Sequence, residues 1–128
     1  MRLRMNPPLL VLSAALAFVG CGSLSLLPAR DVACDFRPAK SQCTDLRDSR
    51  APTTANIKLF CEAIFATIDG GTYTEDARCD VTGSLGGCQT ANVDGSKQTN
   101  WYYPGSRYPD EAAARAECSG PQQFVPPQ

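Results

Sequence analysis

Seven cysteines and no histidine constrain this 128-residue chain more than any other feature. The cysteines are Cys21, Cys34, Cys43, Cys61, Cys79, Cys88 and Cys118. Zinc sites built on cysteine use close pairs such as C-x2-C, and a redox centre uses C-x-x-C; the sequence has neither. Spacing of this kind predicts disulfides, which belong to an oxidising compartment. A chain this short has a limited core, and each bridge across a loop of moderate size adds ~2–4 kcal/mol. Seven is odd, so one cysteine is left over, to pair between chains or to do something else.

The leftover is best sought at the N-terminus. MRLRMNPP is followed by LLVLSAALAFVG and then Cys21. A positive start, a short apolar middle and small residues at its end are the physical form of a secretory signal peptide. The apolar run is too short to cross a hydrocarbon core, which takes ~20 residues. Pro7, Pro8 and the lack of a polar face argue against a core helix. Phe18-Val19-Gly20-Cys21 resembles the lipobox of bacterial lipoproteins, although Phe18 stands where leucine is commonest. The resemblance implies cleavage before Cys21, a diacylglyceryl group on its sulfur and acylation of the new amino terminus. It implies a lipid anchor in the cell envelope, and Gly22, in place of Asp, implies passage to the outer membrane. The competing reading cuts after Ala17, in Ala15-Leu16-Ala17, and leaves Cys21 a thiol. Acylating Cys21 leaves six cysteines, an even number, and that arithmetic favours the lipobox. The expected organisation is a signal peptide over 1–20, a lipidated tether over 21–33 and one disulfide-rich domain over 34–128.

Beyond the signal, the 12 Lys and Arg less Arg2 and Arg4 face 13 Asp and Glu, a net charge of −3. Basic residues are scattered singly, so nucleic acid is not an expected partner. Without histidine, Ser-His and Cys-His nucleophile arrangements cannot be built. No glycine-rich loop takes phosphate-cradling form, and no cofactor or metal is expected. Asp76 with Asp80, and Asp110 with Glu111, are carboxylates near in sequence; the second pair suits a helix start and the first a turn.

Two helices are expected. In TTANIKLFCEAIFATIDGG, Ile57, Phe60, Cys61, Ile64, Phe65 and Ile68 fall on one stripe, ended by Gly70-Gly71. In PDEAAARAECSG, Pro109 suits the first helical position, and Gly120-Pro121 stops the run. Between them, GGCQTANVDGSKQTNWYY reads as a hairpin turning at Asp94-Gly95. Trp101 and Tyr103 fall on one face of its later strand and Tyr102 on the other. Tyr73, residues 78–82 and residues 123–125 are further strand candidates. The expected fold is a small α+β domain, two helices packed on a short antiparallel sheet. The pairing expected is Cys34–Cys43, Cys61–Cys79 and Cys88–Cys118. A faint echo, C-D-Φ-x6-C at 34–43 and again at 79–88, suggests an internal repeat, each followed by a helix with one cysteine and then by Tyr73 or Phe124.

From Cys61 onward the chain resembles small cysteine-rich bacterial lipoproteins that have no assigned activity. The shared elements are Cys61-Glu62-Ala63, Gly70-Gly71-Thr72-Tyr73, Gly86-Gly87-Cys88, Tyr102-Tyr103 and the segment from Ala114 to Cys118. The most unusual stretch is NWYYPGSRY, whose Trp101, Tyr102, Tyr103, Arg107 and Tyr108 are candidate binding residues for a glycan or an envelope protein. A small core needs its aromatics, so the expectation puts Trp101 and Tyr103 inward, with only Tyr102 or Tyr108 exposed. The functional expectation is a non-enzymatic, membrane-anchored envelope domain with a structural or binding role. The alternative is a protease inhibitor presenting Arg47 to Thr54 or Gly83 to Gly87.

Overall fold

The computed structural model describes residues 28–64 and 71–127. The signal segment, Cys21, residues 22–27, and Phe65 and Ile68 of the expected helical stripe lie outside the described residues. Among the described residues, no helix is long and apolar enough to cross a membrane.

Strands β1 (Arg30–Asp35) and β2 (Gln42–Ser49) form a hairpin. Helix α1 (Ala51–Leu59) follows and runs into a π turn, Phe60–Ile64, after which β3 (Thr72–Glu75) pairs with the outer side of β1. Strands β4 (Gly86–Ala91) and β5 (Lys97–Tyr102) form a second hairpin. Helix α2 (Glu111–Ala116) follows, and β6 (Gln123–Val125) pairs with the outer side of β4. All pairings are antiparallel, and β2 joins β5 at the centre, giving the order β3-β1-β2-β5-β4-β6.

That order is a palindrome: two ββαβ units related by a pseudo-two-fold axis between β2 and β5. Register carries the symmetry to single residues. Tyr73 lies opposite Cys34, Cys34 opposite Thr44, Thr44 opposite Asn100, Asn100 opposite Cys88, and Cys88 opposite Phe124. One row across six strands thus reads aromatic, cysteine, polar, polar, cysteine, aromatic. The bridges follow suit: Cys34 bonds Cys61 in the π turn, and Cys88 bonds Cys118 just past α2. Three residues before each helical cysteine a cation lies over the outer aromatic ring, Lys58 over Tyr73 and Arg115 over Phe124. The third bridge, Cys43–Cys79, ties the sheet centre to the segment joining the units. Three disulfides mark an extracytoplasmic or secreted protein.

Two expected pairings, Cys34–Cys43 and Cys61–Cys79, are therefore corrected, and Cys88–Cys118 is found. The reason is the pleat. Cys34 pairs with Thr44 and Asp35 with Cys43, so Cys34 and Cys43 are one residue out of register on neighbouring strands. Their side chains leave opposite faces of the sheet. The repeat is present in a different register from the echo: Cys34 corresponds to Cys88 rather than to Cys79.

The front face carries both helices, and the back face is covered by the segment from Ala77 to Val81. Behind, Ala33, Cys43, Cys79, Trp101 and Tyr103 form one core cluster. The Trp101 indole, 1 % exposed, donates to the Asp45 carboxylate at 3.1 Å. Burial pushes the Asp45 carboxyl upward, and Arg47 at 3.6 Å only partly offsets it. Gly87 leaves room for this ring, since a Cβ there would come within 3.0 Å of the Trp101 side chain.

The sheet makes more of the body than expected and the helices less. It begins at Arg30, within the segment read as tether, and Val32 and Ala33 are buried. Helix α1 buries no side chain and its Phe60 is 53 % exposed, so of the described side chains in the expected stripe only Cys61 is buried. In α2 the first helical residue is Glu111, two later than the expected Pro109, and Asp110 caps the helix, accepting from the Ala113 N–H at 2.9 Å. Residues 78–82 form no strand. The Asp94-Gly95 turn is as read, with Gly95 at φ 87° and the Asp94 carboxylate accepting from the Ser96 N–H and hydroxyl.

Candidate functional site

A cleft opens on the front face between α1 with its π turn and the two central strands, over the pseudo-two-fold axis. Its floor consists of Gln42 and Thr44 from β2 with Gln98 and Asn100 from β5. These four follow from strand alternation: on an antiparallel pair, every second residue shares a face. The axis exchanges Thr44 with Asn100 and Gln42 with Gln98, so the floor is a symmetric quartet. The Thr44 hydroxyl donates to the Asn100 carbonyl at 2.8 Å, which leaves the Asn100 amide hydrogens without a protein acceptor among the described residues. The carboxamides of Gln42 and Gln98 make no hydrogen bond to any described residue.

The wall is apolar. Ile57 of α1, Phe60 and Cys61 of the π turn, and Cys34 and Phe36 at the end of β1 line it, with Lys40 at one side. The π turn is an added residue per helical turn, and such turns occur often at functional sites. Here it carries both the exposed Phe60 ring and Cys61, whose bridge to Cys34 fixes the wall to the floor. The cleft measures about 240 Å³. Among the described residues no carboxylate lines it, and no group of three His, Cys, Asp or Glu converges to hold a metal ion.

The aromatic stretch does not lie here as an exposed platform. Trp101 and Tyr103 face the back core, as expected, with exposures of 1 % and 6 %. Tyr102 and Tyr108, of which one was expected to be exposed, are 5 % and 3 % exposed. They pack with Cys88 and Ala114 under α2, their ring centroids 4.7 Å apart. Burial pushes the hydroxyls of Tyr102 and Tyr103 up to about 12. Arg107 alone of the five is exposed; its guanidinium lies over the Tyr108 ring and reaches Glu117 at 3.4 Å. The structure therefore assigns these aromatics to the core.

The segments considered as inhibitor loops are also accounted for. Arg47 to Ser49 belong to β2 and residues 51–54 to α1, while Gly86 and Gly87 are buried in β4. Among the carboxylates, Asp110 caps α2, Asp80 accepts from the Thr82 N–H, and Asp76 sits in a turn at φ 52°.

The floor residues escaped the sequence reading. Their signal was present as the alternation Q-C-T-D-L in β2 and Q-T-N-W-Y in β5, polar on one face and core-forming on the other, but the first of these strands was not recognised. Compared with protein families, with curated proteins and with solved structures, the chain has no match.

Proposed function

We propose that the protein is an exported, lipid-anchored domain of the bacterial cell envelope that acts without catalysis, by binding through its front cleft. The observation that carries the binding role is the floor: the Gln42 and Gln98 carboxamides, with no partner among the described residues, below an apolar wall braced by a disulfide. Ligand sites have this composition, apolar surface for contact and a few polar groups for orientation. The anchor is supported by the cysteines. All six from Cys34 to Cys118 are consumed in pairs, so Cys21 has no cysteine partner left in its own chain. Its sequence context resembles a lipobox, and Gly22 in that context points to the outer membrane. The absence of histidine and the use of Asp80 and Asp110 in turns and caps support a role without chemistry.

The test is intact mass of the protein from a membrane fraction, before and after reduction and alkylation. The proposal predicts a chain starting at Cys21 with acyl chains attached, and six thiols that become alkylatable only on reduction. A chain starting at Phe18, without lipid and with a seventh thiol, would remove the anchor.

A further inference from the structure

We infer that the cleft takes a neutral glycan chain, its sugar rings lying along β2 and β5; this rests on the binding role proposed above. The first argument is shape. Gln42 lies opposite Tyr102 and Gln98 opposite Leu46, so the two carboxamides are four residues apart along the strands. At ~3.4 Å per residue the floor is about 14 Å long. Its volume of about 240 Å³ is below the ~300–1,000 Å³ of pockets that enclose a whole drug-sized molecule. A long, shallow site fits a stretch of a polymer.

The second argument is chemistry. Each floor side chain, Gln42, Thr44, Gln98 and Asn100, carries both a donor and an acceptor. Sugar hydroxyls do the same at a single atom, so a row of them satisfies this floor in any rotation of the hydroxyl hydrogens. Peptide groups are divided, with N–H groups that only donate and carbonyls that only accept. Among the described residues that line the cleft Lys40, at its side, is the one charge, and the four floor side chains present only uncharged polar groups. Ile57 and the 53 % exposed Phe60 supply apolar surface for the C–H faces of the rings.

The experiment is a titration of the isotope-labelled full chain, purified from an exporting host with its disulfides intact, read at the side-chain amide resonances of Gln42, Gln98 and Asn100. The probes are cellotetraose, maltotetraose and chitotetraose, with an uncharged, end-capped tetra-alanine peptide as the comparison. Saturable shifts at these three residues with at least one glycan, weakened about tenfold or more by Gln42→Ala with Gln98→Ala, are the expected result. Circular dichroism of the double variant is expected to match the parent. Shifts with the peptide and with none of the glycans would overturn the ligand class and leave the binding role standing. No shift with any probe would overturn both, while the anchor is judged separately by mass.

Discussion

Counted back four residues from its bridged cysteine, α1 presents Ile57 and α2 presents Ala114. The two positions correspond, and so do Leu46 on β2 and Tyr102 on β5. In the α2 unit the small Ala114, fully buried, lets the helix come down onto the sheet, where Tyr102, Tyr108, Leu85 and Phe124 complete a filled cluster. In the α1 unit the helix buries no side chain and the space in front of it is the cleft. The same plan, with the same bridge and the same cation over an aromatic ring, is thus finished as a core on one side and as a site on the other. What differs is the size of the residue that faces the sheet and where the large aromatics are spent.

The largest expected effect lies in the filled unit. Tyr102→Ala removes its central ring and is expected to destabilise by ~3–5 kcal/mol, the usual cost of emptying an aromatic core position. Denaturant unfolding measures this, and a loss below ~1 kcal/mol would show the α2 unit to be no better packed than its counterpart. Next comes the bridge of the open unit. Cys34→Ala with Cys61→Ala is expected to cost ~3 kcal/mol by the loop it releases. Because α1 buries no side chain of its own, the same double variant is expected to raise hydrogen exchange throughout α1 while leaving α2 unchanged. Equal exchange in the two helices would break the comparison.

Alkaline pH sharpens the contrast. The Tyr102 hydroxyl ionises near 10 when unfolded and at about 12 when folded, raised by burial, with Tyr108 and Glu117 adding to it. Its contribution to stability is therefore complete below pH 10 and lost as pH rises through about 12. Tyr103, on the back face, follows the same course. Thermal unfolding followed against pH is expected to fall in this window, and Tyr102→Phe to lessen the fall. The smallest effect belongs to the floor. Gln42→Ala with Gln98→Ala is expected to change stability by no more than ~0.5 kcal/mol, as for surface positions without structural partners. A larger loss would make these residues part of the scaffold.

The second unit was far more legible in the sequence than the first. Asp94-Gly95 announces its hairpin, and the two flanking runs alternate cleanly. Asp110 marks its helix start, and the expected Cys88–Cys118 bridge is the one found. In the first unit β1 and β2 are joined through Phe36-Arg37-Pro38 and the residues after it, with no Asn-Gly or Asp-Gly signal, and β2 carries the charges of Asp45, Arg47 and Asp48. Asp45 looks like surface in the sequence, yet it is buried as the partner of Trp101, a contact between residues 56 apart. Without β2, the central pairing is invisible, and with it the floor of the cleft and the faces of Cys34 and Cys43. The helical stripe misled for a related reason: a 3.6-residue period assumes that α1 packs along its length, whereas it is held at one end by Cys61 and widened there by the π turn.

The most direct test of two equivalent units closed by equivalent bridges is a disulfide map of the unreduced protein. Cys79 and Cys88 share the tryptic peptide between Arg78 and Lys97, so digestion must include a second cut at Asp80. The account predicts Cys34 linked to Cys61, Cys88 to Cys118 and Cys43 to Cys79. A peptide in which Cys34 is joined to Cys43 would contradict it, because residues on opposite faces of the same sheet would then have to meet.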